Sequence, residues 1–381
     1  MLNNTESDYY EEFPNTGRIY LNNASVSRMP TSAITAVSDF FTNYSDAGPD
    51  STVGREMVLD MARRVRRIIS DMIHCQPDEI ILTQSTTDGV NIVANGLDIR
   101  PHNNIIMRDV AHEHHANSFP WLSLQAEHRI LKVNQNGLFN IRDMESYVDD
   151  DTAVVALTHA LYNTGAILPL ERIGRMLQGT TYFFVDAAQT VGNFGSYDFT
   201  KLHCDSMAFN GSKWLCGPMG TGLFYCSRKA ASRLRPVAVG GESAIMYDDT
   251  KIAHKNMPDR FEAGYRNYAG LAGLAASLEY ITHIGLDTIQ HKNNKLSQAF
   301  KDNISDMRNI TMYGPTDGHI GIVSFNINGQ KSSDVVKILE SRGVIVAERE
   351  IGGQNIVRIS PHFYNTYNEM DATIEIIKKL L

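Results

Sequence analysis

The sequence is poor in the features that lead a chain to a membrane, a nucleic acid or an oxidised compartment. No stretch is apolar for the roughly 20 residues that a bilayer span needs. There is no basic run, and the balance is acidic: 43 Asp and Glu against 35 Lys and Arg, a formal net charge of −8. That argues against nucleic acid or an anionic membrane as the main partner. Only four cysteines occur, Cys75, Cys204, Cys216 and Cys226, and none forms a Cys-x-x-Cys pair. A chain this long needs no disulfide staples, so they read as reduced thiols in a cytoplasmic protein. Met1–Tyr20, with Glu6, Asp8, Glu11 and Glu12, fits neither a secretory signal nor an Arg-rich transit peptide. No low-complexity tract or internal repeat is present.

What is there suits a globular enzyme-sized fold. The 381 residues are 43% apolar, enough for two domains or one large domain with an appendage. Met1–Arg18 reads as an arm, Thr31–Tyr44 as an amphipathic helix, Asp46–Gly54 as loop and Met57–His74 as helix. Strand-like runs follow at Ile80–Thr83, Ile105–Met107, Arg129–Val133, Ala153–Thr158, Tyr182–Asp186, Ser206–Phe209 and Gly222–Cys226, separated by segments of helix length. Several are apolar on successive residues, as strands covered on both faces are. This predicts an α/β domain on a mainly parallel, seven-stranded sheet, with any ligand at the strands' carboxyl ends. After about residue 245 the strand rhythm stops. Helices at Tyr268–Ile284 and Leu286–Phe300 lead to a smaller α+β unit: strand Ile320–Ile327, helix Ser333–Arg342, strands Val344–Ala347 and Asn355–Ser360, helix Tyr367–Leu381. The expected division is an arm (1–18), a large domain (19–265), and linking helices with a small C-terminal domain (266–381).

The chemistry-bearing residues fall at strand ends. Asp205–Gly222 holds a strand, a turn through Asn210-Gly211-Ser212, then Lys213 between that turn and apolar Trp214 and Leu215. Apolar neighbours weaken an ammonium, and such a lysine can form a Schiff base; a surface lysine on a turn is the plainer alternative. Ser85-Thr86-Thr87-Asp88-Gly89 opens a helix, as an anion site or as an ordinary N-cap. Ala111–Trp121 carries His112, His114 and His115. It reads as a metal site, a polar loop, or a ring stacked on a flat ligand; the spacing is not His-Glu-x-x-His. Asp186 ends a buried strand and needs a cationic or hydrogen-bonding partner. Together these fit pyridoxal phosphate, which needs a lysine, an anion cradle, an acid for the ring nitrogen and a flat side chain on the ring.

From about Ile19 onward the chain resembles the class V aminotransferase family of fold type I pyridoxal-phosphate enzymes. The likeness is to the branch of cysteine desulfurases, selenocysteine lyases and isopenicillin N epimerase-like proteins. It rests on Tyr20-Leu-Asn-Asn-Ala, Thr83-Gln-Ser-Thr-Thr-Asp-Gly-Val-Asn, Glu113-His-His-Ala-Asn, Val185-Asp-Ala-Ala-Gln, Asn210-Gly-Ser-Lys-Trp, Phe261-Glu-Ala-Gly and Val357-Arg-Ile-Ser, in that order. The resemblance implies that Lys213 holds the cofactor covalently and shuttles the Cα proton. Asp186 would pair with the ring nitrogen, Gln189 with the ring hydroxyl, and His114 would stack on the ring. Thr86 and Thr87, helped by Asn210 and Ser212, would take the phosphate, and Arg358 the substrate carboxylate. It also implies a homodimer acting on a small-molecule amino-acid substrate, with Phe261–Asn267 reaching the neighbouring site.

Some positions depart from the family pattern. Ser212 stands where histidine is frequent, Tyr162 (beside Asn163) where Asn is frequent, and Tyr265 where Thr is usual. Desulfurases of this branch carry a nucleophilic cysteine before the Arg358 strand. Here the segment Ala347-Glu-Arg-Glu-Ile-Gly-Gly-Gln-Asn355, read as a loop, has none. The expectation is therefore β-elimination at a C–S bond without a protein thiol, with transamination or epimerisation as alternatives. A metal-dependent hydrolase using His112–His115 and a non-catalytic binding protein are the rivals from other classes.

Overall fold

A computed structural model describes residues 11–14 and 17–381; residues 1–10, 15 and 16 of the expected arm lie outside the described residues. The centre is a seven-stranded sheet of β1 (Ile80–Thr83), β2 (Asn104–Arg108), β3 (Glu127–Leu131), β4 (Thr152–Thr158), β5 (Tyr182–Asp186), β6 (Ser206–Asn210) and β7 (Gly222–Cys226). Their spatial order is β1-β7-β6-β5-β4-β2-β3, and only β7 runs antiparallel to its neighbours. Successive side chains on a strand point to opposite faces, and here both faces are covered. Phe183, Val185, Met207 and Phe209 enter one core; Tyr182, Phe184 and Ala208 enter the other. Each such apolar side chain, fully buried, contributes ~1.5–3 kcal/mol. Successive apolar residues at these strands thus have a direct cause in the two-sided cover. β3 lies two residues earlier than Arg129–Val133, because its Glu127 is exposed and its His128 only half-buried, and neither carries an apolar signal.

Helices α1 (Thr31–Ala47) and α2 (Thr52–Ile73) are joined by a shorter connection than expected. Ser51 caps α2, its hydroxyl accepting Gly54 N–H at 2.9 Å, so Ser-Thr-Val-Gly starts a helix rather than a loop. Helix α3 (Thr86–Gly96) follows β1, and α4 (Tyr268–Ile284) and α5 (Leu286–Ser305) follow the large sheet. Strand structure does not stop at residue 245. β8 (Ala244–Asp248) and β9 (Lys251–His254) form a hairpin whose Ile245, Met246 and Tyr247 are exposed. An exposed apolar strand has no alternating buried face to mark it.

The C-terminal unit is a four-stranded antiparallel sheet of β10 (Ile310–Tyr313), β11 (Val323–Ile327), β12 (Ala347–Ile351) and β13 (Gln354–Ile359), ordered β10-β11-β13-β12. The segment 347–355 is therefore not a loop. It is a hairpin turning at Gly352 and Gly353, whose φ of 56° and 80° are those a two-residue hairpin turn requires. The residues Val344–Ile345 pair in parallel with Ile19–Tyr20, so the start of the described main chain is stitched to its C-terminal unit.

Candidate active site

Five strand ends of the large sheet converge on a cavity of about 200 Å³. It is lined by Thr86 and Thr87 after β1, His114 after β2, Tyr162 after β4, Asp186 and Gln189 at β5, and Asn210 and Lys213 at β6. Eight of the residues singled out from sequence thus meet in one space. Ser212 and Arg358 do not line it: the Ser212 hydroxyl accepts from Asn210 Nδ2 at 3.2 Å, and Arg358 is tied to the lining residue Tyr162 by donating to its backbone O at 2.6 Å.

At one end the chain presents groups without protein partners. Thr86 Oγ1 is buried and unpartnered, at the first turn of α3 where backbone N–H groups are free. Ser85 caps this helix by accepting Asp88 N–H at 3.2 Å. Gly89 lets α3 lie tight on β6, since a Cβ there would come within 2.6 Å of Ala208 Cβ. Asn210 Oδ1 is also buried without a partner. This corner holds hydroxyls, amide dipoles and a helix start, a combination suited to an anion.

Asp186 is 4% exposed, and its Oδ1 accepts Ala188 N–H at 2.9 Å. Burial raises its pKa, opposed by the cationic Lys213. Burial likewise lowers the Lys213 ammonium to about 8; Asp186 opposes this, and Arg358 and Arg349 add to it. Both members move toward neutrality, so lost hydration outweighs their mutual attraction. The Gln189 amide is clamped, Nε2 donating to Ala24 O at 2.9 Å and Oε1 accepting from Trp214 Nε1 at 2.8 Å; its second N–H remains for the cavity.

The three histidines diverge. His114 Nδ1 accepts Ala116 N–H at 3.2 Å, and its ring meets Tyr162 edge-on at 5.1 Å. Lost hydration on the packed side of its ring, then the cationic Lys213, lower its pKa to about 4, so it is a neutral ring facing the cavity. His115 stacks on Phe119 and His112 lies beside Asp109. Among the described residues no three His, Cys, Asp or Glu side chains gather as metal ligands do.

Sequence reading missed the scaffold behind these groups. Buried Glu113 pairs with buried Arg108 at 3.0 Å and accepts the His114 backbone N–H at 2.9 Å, so an internal ion pair fixes the histidine loop. It also missed Ser25, Asn22 and Arg349. Arg358 Nη2 donates to Ser25 Oγ at 2.6 Å and to Asn22 Oδ1 at 3.0 Å, and Arg349 donates to the same Ser25. Tyr265 lies elsewhere, 79% exposed, on a second cavity that Gln84, Asp88 and Asn91 share beside α3. Its segment is anchored by Glu262, which accepts Leu82 N–H at 2.7 Å and pairs with Arg66 and Arg266.

A phosphate would answer Thr86, a cationic ring nitrogen would answer Asp186, and an aldehyde would answer a neutral Lys213 amine. One molecule, pyridoxal phosphate, carries all three, and the fold is that of the type I enzymes that use it. The chain belongs to the class-V aminotransferase family, whose family model matches residues 19–373. It is a pyridoxal-phosphate-dependent enzyme of cysteine desulfurase-like type. A probable cysteine desulfurase of Methanothermobacter thermautotrophicus is 32% identical over 95% of this chain and 94% of that protein. The apo structure of a cysteine desulfurase from Thermococcus onnurineus NA1 superposes with a TM-score of 0.90 at 28% identity, covering 98% of this chain and 97% of the other. The cystine C–S lyase C-DES, in complex with its product cysteine persulfide, shares the fold with a TM-score of 0.86 at 23% identity, covering 94% of this chain and 97% of its own.

Proposed function

We propose that this enzyme cleaves the C–S bond of a sulfur amino acid by β-elimination and uses no thiol of its own to accept the sulfur. The observation that carries this is the placement of the thiols. None of the four cysteines lines the cavity that holds Lys213. Cys216 and Cys226 are fully buried, with thiol pKa values pushed up by burial. Cys75 and Cys204 line a different cavity, beside Asp205 at the opposite end of the sheet, and burial pushes both up to about 12. A thiol held protonated is a poor nucleophile. C-DES, of the same fold, has cysteine persulfide as its product, and a sulfur that leaves on the product asks no thiol of the protein.

Pyridoxal phosphate, when bound here, supplies the electron sink for a carbanion at Cα. The chain's own residues do the rest. Lys213 Nζ takes the Cα proton and gives it up to the departing sulfur, and its pKa of about 8 leaves about a tenth of it as free amine at pH 7. Asp186 Oδ would hold a proton on the ring nitrogen, and His114 would cover the ring. Gln189 would donate its remaining N–H to the ring hydroxyl. Thr86, Thr87, Asn210 and Ser212 hold the phosphate, and Arg358 holds the substrate carboxylate. The reading includes a homodimer in the cytoplasm. Ile245, Met246 and Tyr247 of the β8–β9 hairpin are exposed apolar surface that a second copy would cover, a state that sedimentation velocity reads directly.

The test is a product assay. The enzyme, incubated with cysteine, cystine and common amino acids, should release pyruvate and reduced sulfur from the sulfur amino acids. Accumulation of the substrate's own keto acid without either product would make it an aminotransferase instead.

A further inference from the structure

The turn that carries Lys213 has every backbone carbonyl from Gly211 to Leu215 engaged. Two of these bonds are internal. Gly211 O accepts Gly217 N–H at 2.7 Å, and Lys213 O accepts Cys216 N–H at 3.0 Å. The other three come from segments remote in sequence. Ser212 O accepts Ser27 N–H at 2.8 Å. Leu215 O accepts the Ser277 hydroxyl of α4 at 2.6 Å. Trp214 O lies 3.3 Å from Nε2 of His362, just past the end of β13. Trp214, Leu215, Cys216, Ser277 and His362 are all fully buried.

The other contacts of His362 fix where its proton sits. Its Nδ1 accepts Phe363 N–H at 2.9 Å. Burial lowers its pKa to about 3, so the ring is neutral and its one N–H is on Nε2. That N–H is shared between Trp214 O and Cys216 Sγ, the latter 3.4 Å away. Cys216 has a φ of 54°, in the left-handed region that costs a residue with a Cβ. The chain thus turns back just after Lys213 in a conformation it does not favour by itself, and His362 holds both Trp214 and Cys216 there. A buried carbonyl left unbonded is costly, and only two of the five bonds to this turn come from side chains. His362 also follows Arg358 by four residues on one segment. The stretch of chain that offers a guanidinium therefore braces the base of the lysine as well.

We propose that His362, assisted by Ser277, is a positioning residue for Lys213: its Nε2–H fixes the turn so that the Lys213 amine is held in register with Arg358. This rests on the reading above, in which Lys213 is the bond-forming amine. His362 touches no substrate and moves no proton. It acts only through the backbone of the turn.

Recombination of stripped protein with pyridoxal phosphate at about pH 9, above the Lys213 pKa, reads the placement of the amine without turnover. His362→Phe keeps a ring and loses the N–H. Its recombination should slow about tenfold, and in the reconstituted enzyme turnover should fall by a similar factor with KM within about twofold. His362→Gln returns an Nε2–H to that place and should restore both to within about twofold. Equal losses in the Phe and Gln variants would trace the effect to packing rather than to the bond and overturn the proposal. Unchanged rates in the Phe variant, or a raised KM with turnover intact, would overturn it too. Ser277→Ala, which removes the other side-chain bond to the turn, covers the case in which the Phe variant does not fold. Its recombination and turnover should each fall about threefold, and no change would overturn the proposal. The visible absorbance of the unsubstituted holoenzyme, recorded beside the variants, reports separately on the reading of Lys213.

Discussion

The two ends of the cavity are built differently. The end that offers Thr86, Asp186 and Lys213 is made from the tips of parallel strands buried on both faces. Its positions are set by the packing of the whole sheet. The end that offers Arg349 and Arg358 is made from an antiparallel hairpin, and hydrogen bonds to Ser25, Asn22 and Tyr162 tie it to the rest. A sheet core tolerates little displacement, whereas a hairpin on polar tethers can exchange its side chains freely. On the proposed reading, bond-making falls to the sheet and choice of substrate to the hairpin.

Substitutions can break that division. Lys213→Ala should abolish the visible absorbance of bound cofactor and lower turnover by about 10³-fold or more, read by spectrum and product assay. Asp186→Asn should retain part of the cofactor and slow turnover by about 10²–10³-fold, with little change in KM. If either kept near-normal turnover, the sheet end would not be the chemical end. Arg358→Met should leave the cofactor spectrum intact and raise KM by about 10–100-fold, the mark of lost substrate binding.

pH sharpens the same contrast. Below about 8 the Lys213 amine is mostly protonated and unreactive, and above it the amine is free. Recombination of stripped protein with pyridoxal phosphate should therefore quicken about tenfold per pH unit up to that point and then level off. A profile rising steadily to pH 10 would show an unperturbed lysine. The smallest effect belongs to Ser25→Ala, which removes the hydroxyl both arginines share. KM should rise by a few fold with turnover unchanged.

The same contrast explains what could be read from the sequence. Lys213, Asp186 and Thr86 each follow a run of successive apolar residues, because strands buried on both faces leave that pattern and end where it breaks. Arg349 and Ser25 carry no such mark. The hairpin that presents Arg349 sets three successive charged residues, Glu348-Arg349-Glu350, shortly before two glycines and reads as loop. Ser25 reaches the site through contacts 324 and 333 residues away in the chain. Glu113 was legible as part of a motif, but its partner Arg108 sits inside a strand, where a charge looks out of place until the pair is seen.

The stitching of Ile19–Tyr20 to Val344–Ile345 has a consequence for a chain being born. Asn22 and Arg358 meet across 336 residues, so nearly all of the polypeptide must leave the ribosome before they can touch. Closing so long a loop adds little entropy cost, since that cost grows only with the logarithm of length. What it imposes is order. On the proposed reading, a nascent chain whose sheet has formed still lacks the Arg358 hold on a substrate carboxylate until its final strand arrives.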